Sequence, residues 1–445
     1  MNDPLMNGSG AKRIWPWTGL PVRSRALLLL ALIFHLTLVI PWPMSLWTYF
    51  TFDSAATRGQ RGWDFYALYQ AGHNALAGVS VYESDGSKIE VVVPPFTAYR
   101  YLPIPAYTLG VLSNALSAPL AFGLWAGLVE LVLLGCAHFC WRLEKDPVRG
   151  AGLAAMWLCF TPYYLESYFG QFSLVQAALI LVMMVATLRP LGWRYDLAWI
   201  ASLLWKQNTG LFVPLYLRQR RWRALVFAVA AILLTSGPYF ALYPGTLRAF
   251  LANFESGPPN PQLGNLGVRQ LLYSLVSALA PALPAATHAL LQQAWVVGIL
   301  ALALWLTWRG RQPDALLLLC FWTTTYFLVY HHIWEHHYVL LLPVFVLLHR
   351  RTRSRAVLIL YVLVAIWTPY ILIDPRGMAG YHMPIRWTPL EPRILDVGYH
   401  ACKALPTLLL WGYLARSLLL SALPSVSNAG EQSWQKRPQA AAEDA

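Results

Sequence analysis

The strongest constraint on this chain is an alternation. Apolar runs close to the roughly 20 residues that a bilayer crossing needs are joined by short loops, and arginine and lysine collect at every second loop. Such runs fall near 26–47, 119–141, 150–165, 171–188, 223–242, 290–308, 314–330, 334–349, 355–373 and 402–420, which predicts about ten crossings. Lys and Arg gather in short cytoplasmic loops. The clusters Arg142/Lys145/Arg149, Arg189/Arg194, Arg218/Arg220/Arg221/Arg223, Arg309/Arg311 and Arg350/Arg351/Arg353/Arg355 all fall on one side of the predicted membrane. With Lys12, Arg13, Arg23 and Arg25 before the first run and Arg416, Lys436 and Arg437 in or after the last, that side holds 22 of the 33 basic residues, so it is read as the cytoplasm. Both termini are expected there, and eleven of the twenty acids lie on the outer side.

Composition agrees and excludes other classes. Only 12% of the residues are charged and 57% are hydrophobic, where a soluble protein carries about 25% charged residues. A soluble enzyme, a nucleic-acid module and a disordered scaffold are all excluded. The net charge of +13 would suggest a polyanion partner in a soluble chain, but here most of it is topology. The first run exceeds the 7–15 apolar residues of a signal peptide core and is read as an anchor. The expected fold is an all-α polytopic bundle: residues 1–25 as a cytoplasmic N-terminus, 26–421 as one transmembrane domain with a first external loop at 48–100, and 422–445 as a disordered cytoplasmic tail.

Three apolar stretches fit the alternation only if they do not cross. Residues 101–116 and 268–280 are expected to be interfacial or re-entrant. Residues 195–217 are one span long with basic clusters at both ends, which predicts a broken hairpin entering from the cytoplasm and turning at Lys206-Gln207-Asn208-Thr209-Gly210. Broken backbone at membrane depth requires protein or water to satisfy it, so a cavity is implied. The sequence shows one such broken hairpin and no counterpart in the other half. The five cysteines sit in apolar runs and are read as packing residues, with neither a disulfide nor a metal expected.

Chemistry concentrates in four places. The long first loop contains WDFYALYQAGHNALAG, read as an amphipathic helix opening at Asp64, with Phe65, Leu68, Tyr69 and Leu76 as a membrane-facing stripe. Asp64 is either the helix cap or a general base, because a carboxylate at a partly desolvated boundary has a raised pKa. Asp53 is the weaker competitor. Lys206 lies at membrane depth, where an ammonium costs about 2.5–3.5 kcal/mol on insertion scales; it either snorkels to the surface or binds an anion such as a lipid phosphate. HHIWEHH (331–337) formally contains the H-x-x-E-H zinc pattern, but a third ligand is wanting downstream. Its imidazoles otherwise act as a proton relay, as hydrogen-bond partners for a phosphate or sugar, or as interfacial packing. The outer loop around 258–273 supplies amide side chains and Arg269, and the loop 374–399, with Arg376, His382, Arg386 and Arg393, could line the same cavity.

Together these strings resemble membrane glycosyltransferase family 87, which includes polyprenol-phosphate-mannose-dependent mannosyltransferases. Asp64, Tyr69, Ala71, Gly72, Leu76, Gly78, Tyr82, Tyr101 and Pro103 follow its first-loop pattern. Trp205-Lys206-Gln207 resembles its Lys-Pro-Gln break without the Pro. GNLGVRQLL retains Asn265 of an Asn-x-Ser stretch without the Ser, and IWEHHYVLLLP is similar through Trp334, His336, His337 and Pro343. The resemblance runs in order from about residue 60 to 345. It implies a GT-C-type fold in the cell membrane and inverting transfer, at the outer face, of mannose or another sugar from a polyprenyl-monophosphate donor to a lipid or glycan acceptor. Asp64 would be the base. Lys206, His336, His337 and Arg269 would bind the donor phosphate, and Tyr69, Tyr101, Gln207, Asn265 and Trp334 would contact substrate. The scheme needs no nucleotide, metal or other cofactor, and no nucleic acid is expected as a partner. The competing classes are a secondary transporter or flippase of an anionic or lipid-linked substrate, for which paired broken helices are expected, and a structural subunit of an envelope assembly.

Overall fold

The computed structural model describes residues 19–40, 61–84, 86–94, 96–188, 191–252, 264–309, 314–369 and 393–422. Asp53, most of the amide loop before Gly264, the loop residues Arg376, His382 and Arg386, and the C-terminal tail lie outside the described residues. Among those described, the structure is helical with no strand. The helices are α1 (Val22–Val39), α2 (Trp63–Leu76), α3 (Ala118–Arg142), α4 (Pro147–Leu158), α5 (Pro162–Phe169), α6 (Ser173–Ala186), α7 (Trp193–Trp205), α8 (Val213–Arg218), α9 (Trp222–Leu242), α10 (Pro244–Ala252), α11 (Val268–Leu279), α12 (Ala285–Arg309), α13 (Ala315–Val329), α14 (Leu342–Thr352), α15 (Arg355–Ala365) and α16 (Arg393–Ala422). Four of them, α1, α3, α9 and α12, are individually long and apolar enough to cross a membrane. Several other apolar runs fold as shorter helices, among them α6 with 14 residues, α13 with 15 and α15 with 11. The chain is a multi-pass membrane protein built from long outer helices around an interrupted core.

The interruption near Lys206 is a hairpin. Helix α7 ends at Trp205, Lys206 adopts extended backbone (φ −151°, ψ 109°), and the chain returns through a 3-10 helix, Gln207–Phe212, into α8. Tyr195 and Tyr216 stack at 5.3 Å between ring centroids, and Trp199 and Tyr216 at 3.9 Å, so the two arms lie side by side. Arg221 pairs with Asp196 at the base. The opened backbone is satisfied from within: Gln176 Nε2 donates to the Lys206 carbonyl at 2.7 Å and the Trp199 indole donates to the Thr209 carbonyl at 2.9 Å, as broken backbone at membrane depth demands.

A second hairpin, 315–352, corrects the expectation that the first has no counterpart. Helix α13 leads to a tip at 330–334, and the chain returns through the 3-10 helix Glu335–Leu341 into α14. An Arg351–Asp314 ion pair joins the base. The sequence concealed this because 314–349 has enough apolar length for two full spans. Both return arms carry Pro at the second helical position, Pro214 and Pro343, and both are followed by an arginine in the left-handed region, Arg220 (φ 56°) and Arg353 (φ 55°).

The first-loop helix also departs from expectation. Phe65, Leu68 and Tyr69 of α2 are buried, with Phe65 against Phe122 and Trp125 of α3, and only Leu76 of the expected membrane-facing stripe is exposed. The reason is a close crossing. Helix α2 lies on residues 103–113, which include a π-helical turn, and a Cβ on Gly72 would stand 2.1 Å from the Gly110 carbonyl carbon. The helix is therefore seated in protein, with its apolar face spent on the bundle. Its first residue is Trp63, with Gly62 in the left-handed region (φ 77°) before it. Asp64 stands inside the first turn and is not the capping residue.

Candidate active site

One cavity of about 610 Å³ lies where α2, the strand-like approach 97–101 and the tips of both hairpins converge. Asp64, Tyr101, Lys206, Gln207, Trp334, His336 and His337 all border it. Asp64 is half-buried at its edge and accepts a hydrogen bond from the Thr97 hydroxyl at 2.8 Å. Burial raises the Asp64 carboxyl above its ordinary value, opposed by hydrogen bonds from Thr97 and Gln171 and by the charges of Lys206 and Arg100. The first helical turn also places this carboxylate at the positive end of α2, where negative charge is favoured.

Lys206 points into the same space from below. Its Nζ donates to Ser173 Oγ at 2.7 Å and to Gln171 Oε1 at 3.4 Å, and stands 5.9 Å from the centroid of the Tyr101 ring. Its charged neighbours are Glu166 and Asp64. The hairpin that enters from the basic side therefore reaches the cavity that the outer-loop carboxylate borders. Glu166 is fully buried and accepts the Leu174 amide at 2.6 Å at the start of α6, so a single carboxylate caps that helix and balances Lys206. Gln207 donates to the Arg100 carbonyl at 3.0 Å, tying the hairpin tip to the external loop.

The histidines divide. Burial, followed by the charges of Arg100 and His331, holds His332 down to about 4, so it is neutral at pH 7, and its Nε2 accepts the Trp334 indole N–H. His337 Nδ1 accepts the Trp334 amide at 3.0 Å. His336 is buried, stands 4.2 Å from His337 between ring centroids, and neither of its ring nitrogens has a protein partner. A buried imidazole that borders a cavity and has neither nitrogen paired within the protein is left with hydrogen-bonding capacity to spare. The zinc reading of HHIWEHH does not fit this arrangement, because Glu335 is turned away and pairs with Lys403 at 3.2 Å.

Three expected site residues stand behind the wall. Asn265 donates to the His331 carbonyl at 2.7 Å and accepts the Ile333 and Gly267 amides at 2.9 and 3.2 Å, so it shapes the histidine loop. Arg269 is spent on Gln292 Oε1 at 3.0 Å and the Val329 carbonyl at 3.4 Å. Tyr69 donates to the Leu116 carbonyl at 2.8 Å. All three are buried, none of them borders the cavity, and each is hydrogen-bonded within the protein. Conversely, Thr97, Gln171, Ser173 and Glu166 were not singled out in sequence. The only available signal was that Glu166 falls beside a span end.

The sequence signature of glycosyltransferase family 87 matches residues 94–330, more than half of the chain. The chain belongs to this family. It is a membrane glycosyltransferase, and the matched region includes Tyr101, Lys206 and Asn265, while Asp64 and His336–His337 flank it. No curated protein sequence matches this member of family 87. In overall shape it is similar to ArnT from Cupriavidus metallidurans. The structure bound to undecaprenyl phosphate gives a TM-score of 0.39 at 15% identity, over 88% of this chain and 77% of that one. The apo state gives 0.38 at 16% identity, over 88% and 76%.

Proposed function

We propose that this family 87 enzyme has a GT-C-type fold and transfers a sugar from a polyprenyl-monophosphate donor to a hydroxyl of a lipid or glycan acceptor at the outer face, with Asp64 as general base. The observation that carries the reading is the convergence of Asp64, Lys206 and the unpaired His336 on one cavity. Asp64 takes the acceptor proton as the acceptor oxygen attacks the anomeric carbon. The bond from that carbon to the phosphate oxygen breaks on the opposite side, which inverts the centre. Negative charge grows on the departing phosphate, and the Lys206 ammonium with a His336 N–H meets it, as preorganised donors do at developing anions. A general base of this kind contributes roughly 10²–10⁴-fold. The ammonium supplies the charge stabilisation, so the scheme involves no cofactor. Leu211, Val296, Leu300 and Val329 give the same cavity an apolar side suited to the start of an isoprenoid chain.

The sidedness has a geometric basis. The ion pairs Arg221–Asp196, Arg350–Glu144 and Arg351–Asp314 lie at the far ends of α7, α14 and α13 from the cavity. Helices α6 and α13, of 14 and 15 residues, separate those basic ends from the cavity floor by about 20 Å at 1.5 Å per residue. With the basic ends in the cytoplasm, the cavity opens outward. The paired hairpins are also what a transporter would show, and membership of a glycosyltransferase family decides against that class.

The test is incubation of purified enzyme with labelled polyprenyl-phosphate sugars and candidate acceptors. Asp64→Asn is expected to lower transfer by roughly 10²–10⁴-fold while retaining donor binding. Undiminished transfer by that variant would remove Asp64 as the base.

A further inference from the structure

The imidazoles that border the cavity belong to the 3-10 helix Glu335–Leu341, and the first residue of that helix points the opposite way. Glu335 is 4% exposed and pairs with Lys403 of α16, which is fully buried, at 3.2 Å. The same ammonium donates to the Val364 carbonyl at 2.6 Å and to the Ile366 carbonyl, at the end of α15. One cation thus joins α15, α16 and the histidine-bearing 3-10 helix, and it borders no part of the cavity.

Stability alone is a poor account of this pair. Replacing a buried ion pair by well-packed apolar residues is often neutral or stabilising, whereas removing one partner leaves an unpaired buried charge. Other polar residues of α16 face different elements: His400 meets Ser274 of α11 at 3.4 Å, and the Trp411 indole donates to Thr325 of α13 at 2.9 Å. Lys403 is distinct in holding the residue next to His336. A 3-10 helix has poorer hydrogen-bond geometry than an α-helix, so this short segment depends on outside anchors. Its own cap supplies the Trp334–His337 bond. From outside, the Leu266 carbonyl accepts the Tyr338 hydroxyl at 2.8 Å and Lys403 holds Glu335.

We propose that Lys403 is a positioning residue of the active site: through Glu335 it fixes the 3-10 helix so that His336 and His337 face the donor phosphate. The proposal rests on the donor reading above and assigns a role to a residue that touches neither substrate nor cavity.

The experiment measures the affinity of the purified full-length enzyme in nanodiscs for a sugar-free polyprenyl monophosphate. Amide deuterium uptake over 335–341 and thermal stability are followed in parallel. Lys403→Met is expected to weaken binding about tenfold or more, as misplaced site groups do, with faster uptake in 335–341. Lys403→Arg is expected to restore both. The double variant Glu335→Gln/Lys403→Met leaves no unpaired charge, so it keeps its thermal stability but retains the weakened binding and faster uptake. His400→Ala, on the same helix, loses stability without losing affinity. Wild-type affinity in the double variant, or equal loss of affinity in His400→Ala, overturns the proposal. If the wild type itself binds no polyprenyl monophosphate, the donor reading falls. The uptake measurement still decides the anchor, since unchanged uptake in Lys403→Met overturns it.

Discussion

The hairpins 193–218 and 315–352 share a construction: an ascending α-helix, a break at the cavity, a 3-10 return and a proline at the second position of the last helix. Each is held at its base by an arginine–aspartate pair, Arg221–Asp196 in one and Arg351–Asp314 in the other. They differ in what the break presents. The first presents a lysine whose amino group is already held by Ser173 and Gln171. The second presents an imidazole with neither nitrogen bonded to protein. An amino group and an imidazole that border one cavity would, in the proposed reaction, divide the work of handling a phosphate: the ammonium supplies charge, and the ring supplies a hydrogen bond.

The comparison is broken most sharply by Lys206→Met. This variant removes the cation and leaves Glu166 and Asp64 as uncompensated neighbours, so transfer is expected to fall roughly 10²–10³-fold, with lower thermal stability read in the same preparation. His336→Ala removes one hydrogen bond to a charged group, for which about 1.5–3 kcal/mol corresponds to roughly 10–100-fold in donor KM or kcat; stability should hold. Equal effects from the two variants would show that the hairpins are not specialised. The base between them is tested by pH. The half-buried Asp64 carboxyl is raised and must be ionised to act, so transfer is lost as pH falls through a value above that group's ordinary one. The Thr97 hydroxyl favours the ionised form, so Thr97→Val is expected to move the acid limb of the pH–rate profile upward without a new alkaline limb. The smallest contrast is at the bases. A left-handed non-glycine residue costs about 1–2 kcal/mol, partly offset by the entropy glycine loses on folding. Arg220→Gly is therefore expected to raise stability by less than about 1 kcal/mol. Arg353→Gly should gain less, because it gives up the 3.2 Å contact with Glu144.

What was legible in the sequence followed the charge pattern. The break at Lys206 could be read because a single span-length segment has basic clusters at both ends, an arithmetic contradiction unless the chain turns back. The break at 330–341 could not, since enough apolar residues surround it for two ordinary crossings. Asp64, Lys206 and His336 were visible as chemistry out of place in an apolar chain. Asn265, Arg269 and Tyr69 looked the same in sequence, and only the fold shows their polar atoms spent on carbonyls and amides. The rule that singled out Lys206 applies equally to Lys403, to Glu130 and to His35, which pairs with Glu130 at 2.6 Å. Those residues are masked in the sequence because each sits inside a run that reads as an uninterrupted span.

The crossing of Gly72 over Gly110 gives α2 a fulcrum. Gly72 is eight residues from Asp64, a lever arm of about 12 Å along a straight helix, and the backbones already touch, so the pivot has no slack in the direction of closer approach. Any side chain at either glycine must lift the helix, and the lift arrives at the carboxylate as a swing. The alignment of the base is therefore set by two hydrogen atoms more than two helical turns away.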